Sequence, residues 1–121
     1  MALRFHQIVV DAHDPSFLAR FWCAVLDWKV LYEDEDEIVI GADETARPGI
    51  CFLPVPEGKS AKNRLHIDLA PDDQAVEIER VLALGAGRVD VGQGTDVTWV
   101  VLADPEGNEF CVLRPRKTLV D

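Results

Sequence analysis

The feature that most limits what this chain can fold into is its internal duplication. Residues 4–11 (RFHQIVVD) are rich in β-branched and aromatic side chains and read as a strand. Asp14-Pro15 then opens a helix: Asp14 can cap its free N–H groups, and Pro15 suits a first turn where its missing N–H costs nothing. Phe17, Leu18, Phe21, Trp22, Val25 and Leu26 form one apolar stripe on a helix over 15–26. Three strand-like segments follow at 28–33, 37–41 and 49–54, with the acidic run Glu33-Asp34-Glu35-Asp36-Glu37 as a solvated hairpin turn. Residues 56–62 (PEGKSAK) are rich in loop formers and read as a linker.

The pattern then begins again. Residues 64–70 (RLHIDLA) read as a strand, and Pro71-Asp72-Asp73 opens a second helix. Ala75, Ile78, Val81 and Leu82 give that helix its apolar stripe, and Gly85 stands where a C-cap glycine belongs. Strand-like segments at 86–91, 97–103 and 109–114 complete the half, and Asp104-Pro105-Glu106-Gly107-Asn108 is a turn. Gln7 matches His66 at an offset of 59, and Ile50-Cys51-Phe52-Leu53 matches Phe110-Cys111-Val112-Leu113 at an offset of 60. One helix on one small sheet buries too little apolar surface to stand alone. The reading is therefore a single α+β domain over 1–121, built of two βαβββ modules at about 4–55 and 63–116. Set edge to edge, the modules would form a curved mixed sheet with helices on the outer face and a cleft on the other.

Composition narrows the function. The net charge of −10 disfavours phosphate backbones and anionic membrane surfaces, so neither nucleic acid nor membrane is an expected partner. Three widely spaced cysteines (Cys23, Cys51, Cys111) give neither a CxxC pair nor a disulfide framework, which fits a reducing cytoplasm. No segment approaches the roughly 20 apolar residues of a membrane span, and no signal-peptide stretch precedes the first strand. No phosphate-binding glycine loop or nucleophile elbow is present; Gly92-Gln93-Gly94 reads as a loop between strands.

Gln7-Ile8-Val9-Val10-Asp11-Ala12-His13-Asp14-Pro15 with Phe21-Trp22 and Leu26-Asp27-Trp28, then Lys62-Asn63-Arg64-Leu65-His66-Ile67-Asp68-Leu69, then Asp104-Pro105-Glu106-Gly107-Asn108-Glu109-Phe110, resemble the glyoxalase/bleomycin-resistance group of the vicinal oxygen chelate superfamily. The resemblance spans nearly the whole chain. It implies a cleft in which four side chains, two from first strands and two from last strands, hold one divalent ion (Zn, Ni, Mn or Fe). The metal ligands it implies are Gln7 and His66. The two remaining positions, where the group carries Glu, fall on Cys111 and on Cys51 or Phe52. With both carboxylates missing, either a soft-ion site at Gln7, Cys51, His66 and Cys111 remains, or the cysteines are buried hydrophobes and no metal binds.

Strand alternation places Val9, Asp68 and Glu109 on the cleft face with Gln7, His66 and Cys111. The resemblance adds Trp99 and Val101 to the pocket, and Arg64 shares the parity of His66 and could meet an anionic group at the rim. Glu109 is the candidate catalytic residue, able to serve as ligand or general base one step from the expected position. His6 has the opposite parity and should point toward the helices, and His13 should be solvated. Two functions follow: a binder of an apolar or aromatic small molecule with a degenerate metal site, or a metal-dependent lyase or isomerase using Gln7, His66 and Glu109. The resemblance also implies a homodimer.

Overall fold

A computed structural model describes residues 4–89 and 97–120. The chain divides into two compact units, Met1–Gly58 and Lys59–Asp121, so the division falls inside the segment rich in loop formers.

The first unit runs β1 (Gln7–Ala12), α1 (Pro15–Leu26), β2 (Lys29–Glu33), β3 (Ile38–Gly41) and β4 (Gly49–Pro54). Its sheet has the order β1-β4-β3-β2, with β1 parallel to β4 and the other pairs antiparallel. The Asp14 side chain caps α1 by accepting from the Phe17 N–H at 3.2 Å. The helix buries Leu18, Ala19, Phe21, Trp22 and Val25 and packs on β3 and β4, whose Ile38, Ile40, Ile50 and Phe52 are buried with them. Asp27, at φ 55°, takes the left-handed conformation that ends the helix, and the Trp28 N–H bonds back to the Cys23 carbonyl.

The second unit repeats this order: β5 (Ile67–Leu69), α2 (Gln74–Ala83), β6 (Gly87–Arg88), β7 (Val100–Ala103) and β8 (Glu109–Val112), in a sheet ordered β5-β8-β7-β6. Asp73 caps α2 by accepting from the Val76 N–H. After α2, Gly85 at φ 122° permits two closing bonds, Gly85 N–H to Leu82 O and Ala86 N–H to Val81 O, which together form a Schellman motif. Leu102, Phe110 and Val112 form a buried layer on one face, with Ile78 and Val81 of α2 buried in the same unit. The Gln74 side-chain amide donates to the Thr98 and Val112 carbonyls, tying the start of α2 to the sheet.

The duplication is written into the ladders. Val9 pairs with Cys51 in β1/β4, and Asp68 pairs with Cys111 in β5/β8. Val39 lies opposite Cys51, and Val101 opposite Cys111. The match assigns Cys51, not Phe52, as the first-unit counterpart of Cys111. Phe52 is wholly buried one step along the strand, where the alternation turns it the other way.

Several strands are shorter or shifted relative to the sequence reading. β1 starts at Gln7 because its partner β4 begins opposite it at Gly49. β5 covers only 67–69 of the expected 64–70, since Asn63 bonds to Glu109 through side-chain contacts instead of a ladder. β2 begins at Lys29 because the helix end has taken the Trp28 N–H. β7 covers 100–103 of 97–103, and β8 stops at Val112 instead of 114. Of the expected strand 86–91, Gly87–Arg88 is paired, and residues 90–91 lie outside the described residues, as does the expected Gly92-Gln93-Gly94 loop. His6 does not turn toward the helices: it precedes β1, is exposed, and accepts a hydrogen bond from Arg47 Nε at 3.3 Å. No helix among the described residues is long and apolar enough to cross a membrane.

Candidate functional site

The residues opposite the buried layer of the second sheet line an open pocket of about 540 Å³. Because β5, β8 and β7 are in register, alternation brings Asp68, Cys111 and Val101 into one row across the sheet. Glu109 on β8 and Leu113 just past its end flank Cys111, and His66, Trp99, Lys62 and Arg116 complete the wall. Val101 and Cys111 are 4% and 8% exposed and form an apolar floor, whereas Trp99 is 40% exposed and offers its indole to a ligand.

Six residues singled out in the sequence therefore meet here: His66, Asp68, Trp99, Val101, Glu109 and Cys111. Arg64 is exposed and does not line the pocket. Gln7 and Val9 lie in β1 of the first unit, Gln7 half-buried opposite Gly49 and Val9 exposed opposite Cys51. Sequence reasoning missed Leu113, Lys62 and Arg116. Leu113 shares the parity of Glu109 and Cys111 and could have been named by alternation. Lys62 and Arg116 sit in irregular segments where no period exists to read.

Three polar groups of the wall, His66, Asp68 and Glu109, are bonded to one another or to neighbouring residues. His66 Nε2 lies 3.1 Å from Asp68 Oδ1. Burial pushes the Cys111 thiol above its ordinary value; the Asp68 charge and its hydrogen bond push it further, and Lys62 offsets part of this. At neutral pH Cys111 is a thiol donating toward Asp68, not a thiolate nucleophile. Glu109 behaves oppositely. Burial alone would raise it, but hydrogen bonds from Lys59 and the Asn63 N–H, with the Lys59 charge, outweigh burial and hold the carboxyl below the usual range. Its Oε2 is 2.7 Å from Lys59 Nζ and its Oε1 accepts from the Asn63 N–H at 3.1 Å, so both oxygens are engaged.

The divalent site implied by the resemblance needs carboxylates at the last-strand positions, and Cys51 and Cys111 stand there. Glu109, two residues along the same strand, is already committed to a cation and an amide, and Asp68, opposite Cys111, lies 3.1 Å from His66 Nε2. An oxygen-rich cage does not fit these residues. His66, Asp68 and Cys111 do form a group whose donor atoms lie within 4.8 Å of one another, a nitrogen, oxygen and sulfur set suited to a borderline-soft ion.

A family profile for a glyoxalase-like domain matches residues 7–113. No curated protein matches the sequence. A glyoxalase/bleomycin resistance protein/dioxygenase family enzyme from Burkholderia phytofirmans PsJN is similar in structure, with a TM-score of 0.74 at 15% identity, covering 94% of this chain and all of that one (100%). The fosfomycin resistance protein FosX from Listeria monocytogenes, complexed with Mn(II) and 1S,2S-dihydroxypropylphosphonic acid, gives 0.73 at 14% identity, covering 96% and 92%. TnmS3, an antibiotic binding protein from Streptomyces sp. CB03234, gives 0.66 at 18% identity, covering 96% and 99%. At these identities the likeness is one of fold, which hosts several chemistries.

Proposed function

The chain belongs to the glyoxalase-like domain family, and on that premise we propose that it binds an apolar or aromatic small molecule in the pocket of its second unit, with the metal site of its relatives degenerate. The observation that carries this reading is the state of Glu109. Glu109, the carboxylate expected to act as base, is held ionised by Lys59 and Asn63, with each oxygen bonded to one of them, while the floor beside it is apolar. A general base needs a pKa near the working pH, and these contacts hold the Glu109 carboxyl below the usual range. A pocket of about 540 Å³ with an apolar floor, an exposed indole and a few polar groups has the size and chemistry of a small-molecule site. TnmS3 offers a precedent for binding on this fold. A metal-dependent lyase or isomerase using Gln7, His66 and Glu109 is supported less, because it requires Glu109 to abandon its partners.

A thermal-shift screen of aromatic and apolar compounds tests this, since a ligand that binds only the folded chain raises its melting temperature. At least one compound should raise it, EDTA should not reverse the shift, and Trp99→Ala should abolish it. A shift obtained with divalent ions alone would contradict the proposal.

One observation favours a second reading. The His66, Asp68 and Cys111 donors are close enough to take a zinc ion. That reading expects near-stoichiometric zinc in protein purified without a metal-affinity tag, lost in His66→Ala. We also carry the homodimer as a proposal, to be checked by sedimentation.

A further inference from the structure

Resting on the small-molecule reading, we infer that the pocket selects an anion with a flat apolar body, an aromatic carboxylate. The chain as a whole carries −10, which by itself favours a cation. The pocket's own carboxylates, however, are engaged. Glu109 is held by Lys59 at 2.7 Å and by Asn63, and Asp68 lies 3.1 Å from His66 Nε2 and takes a hydrogen bond from Cys111. Arg116 already has a partner. Lys62 lines the same pocket, is exposed, and forms no hydrogen bond or ion pair with the described residues. It is the cation left for a ligand, and its charge is felt at the Cys111 sulfur on the floor.

One ammonium at the rim of an apolar floor suits one negative charge attached to an apolar group. A dianion such as a phosphate monoester would leave a second charge facing Asp68 and the acidic surroundings, which disfavours it. The flat body is argued from Trp99, 40% exposed beside the nearly buried Val101 and Cys111, which leaves an indole face for stacking over a smooth floor.

Isothermal titration of the whole chain with 2-naphthoate, neutral 2-naphthamide and 2-naphthylmethylammonium tests the inference. In low salt 2-naphthoate should bind about threefold to fivefold more tightly than 2-naphthamide, the size expected of a solvent-exposed charge pair, and the difference should shrink as salt is added. Lys62→Gln should erase that difference while leaving 2-naphthamide binding within about twofold, and Lys62→Arg should keep it. Equal binding of acid and amide, or tighter binding of the ammonium compound, overturns the inference. If that happens and Trp99→Ala still weakens the amide, the pocket reading stands without the charge preference. If no naphthyl compound binds but another screened ligand depends on Trp99, the aromatic acid is again overturned and the pocket stands. If Trp99→Ala affects no ligand at all, both fall.

Discussion

Lys59 Nζ and Glu109 Oε2 lie 2.7 Å apart, with side chains only 21% and 11% exposed, and this pair fastens the start of the second unit to its last strand. Asn63 adds two bonds to the same residue, its N–H to the carboxylate and its side-chain amide to the Glu109 carbonyl. The cluster holds residues 59–63, Lys62 among them, beside the pocket.

Glu109→Gln should therefore destabilise the chain by about 1–2 kcal/mol at pH 7, as expected for a largely buried charge-assisted contact. The pH dependence carries the sign. The folded carboxyl titrates below its ordinary value of 4.5, so its contribution is present above that value and is lost as pH falls through the lower, folded pKa. In urea titrations the gap between wild type and variant should be widest near neutrality and close on acidification below about pH 4. A gap that stayed constant down to pH 3 would show that the pair is not electrostatic in origin.

Asp104 is the one buried charged side chain among the described residues, 5% exposed. Its Oδ1 accepts from the Glu106 and Asn108 N–H groups at 2.9 and 3.0 Å, and the Asn108 side chain reaches both oxygens. Asp104→Ala leaves these donors unmatched and should cost about 3 kcal/mol, read as a lower urea midpoint. Asp104→Asn, which keeps one acceptor, should cost about half as much.

Cys23, Cys51 and Cys111 are all pushed above the ordinary thiol value, chiefly by burial. The native chain should react with iodoacetamide more slowly at pH 7 than a free cysteine does, and the rate should climb with pH well past the point where a free thiol levels off. Unfolding in urea should release all three. Fast labelling of Cys111 at pH 7 would mean a thiolate is present and would reopen nucleophilic or metal chemistry there.

Gly85, at φ 122°, sits where an added Cβ would meet only Pro105 Cγ at 3.9 Å. Space is therefore not the obstacle to Gly85→Ala; backbone strain is. The substitution should cost about 1 kcal/mol or more in equilibrium unfolding.

The duplication made the element order legible because hydrophobic period and cap residues are local signals. Asp14 and Asp73 cap the helices they precede, and Gly85 follows the second helix. Strand ends were less legible, because the ladder depends on a partner far along the chain: residues 64–66 have strand composition, yet Asn63 turns to Glu109 instead of pairing in the ladder. Much of the pocket followed from alternation once one position was assigned, since Asp68, Cys111 and Val101 share a row. Glu109 illustrates the limit. Its parity placed it on the pocket face, but nothing in the sequence joins it to Lys59 across 50 residues, and that contact governs what its carboxylate can do. Lys62 and Arg116 belong to irregular segments and carry no period at all.

The most direct measurement is a nitrogen-15 chemical-shift titration of the chain with a ligand from the thermal-shift screen, in the presence of EDTA. The Trp99 indole signal and the amides of Val101, Glu109, Cys111 and Leu113 should move together and saturate, while the indole signals of Trp22 and Trp28 stay in place. Shifts that appear only after a divalent ion is added, or that leave Trp99 and Cys111 unmoved, would contradict metal-independent binding in the second-unit pocket.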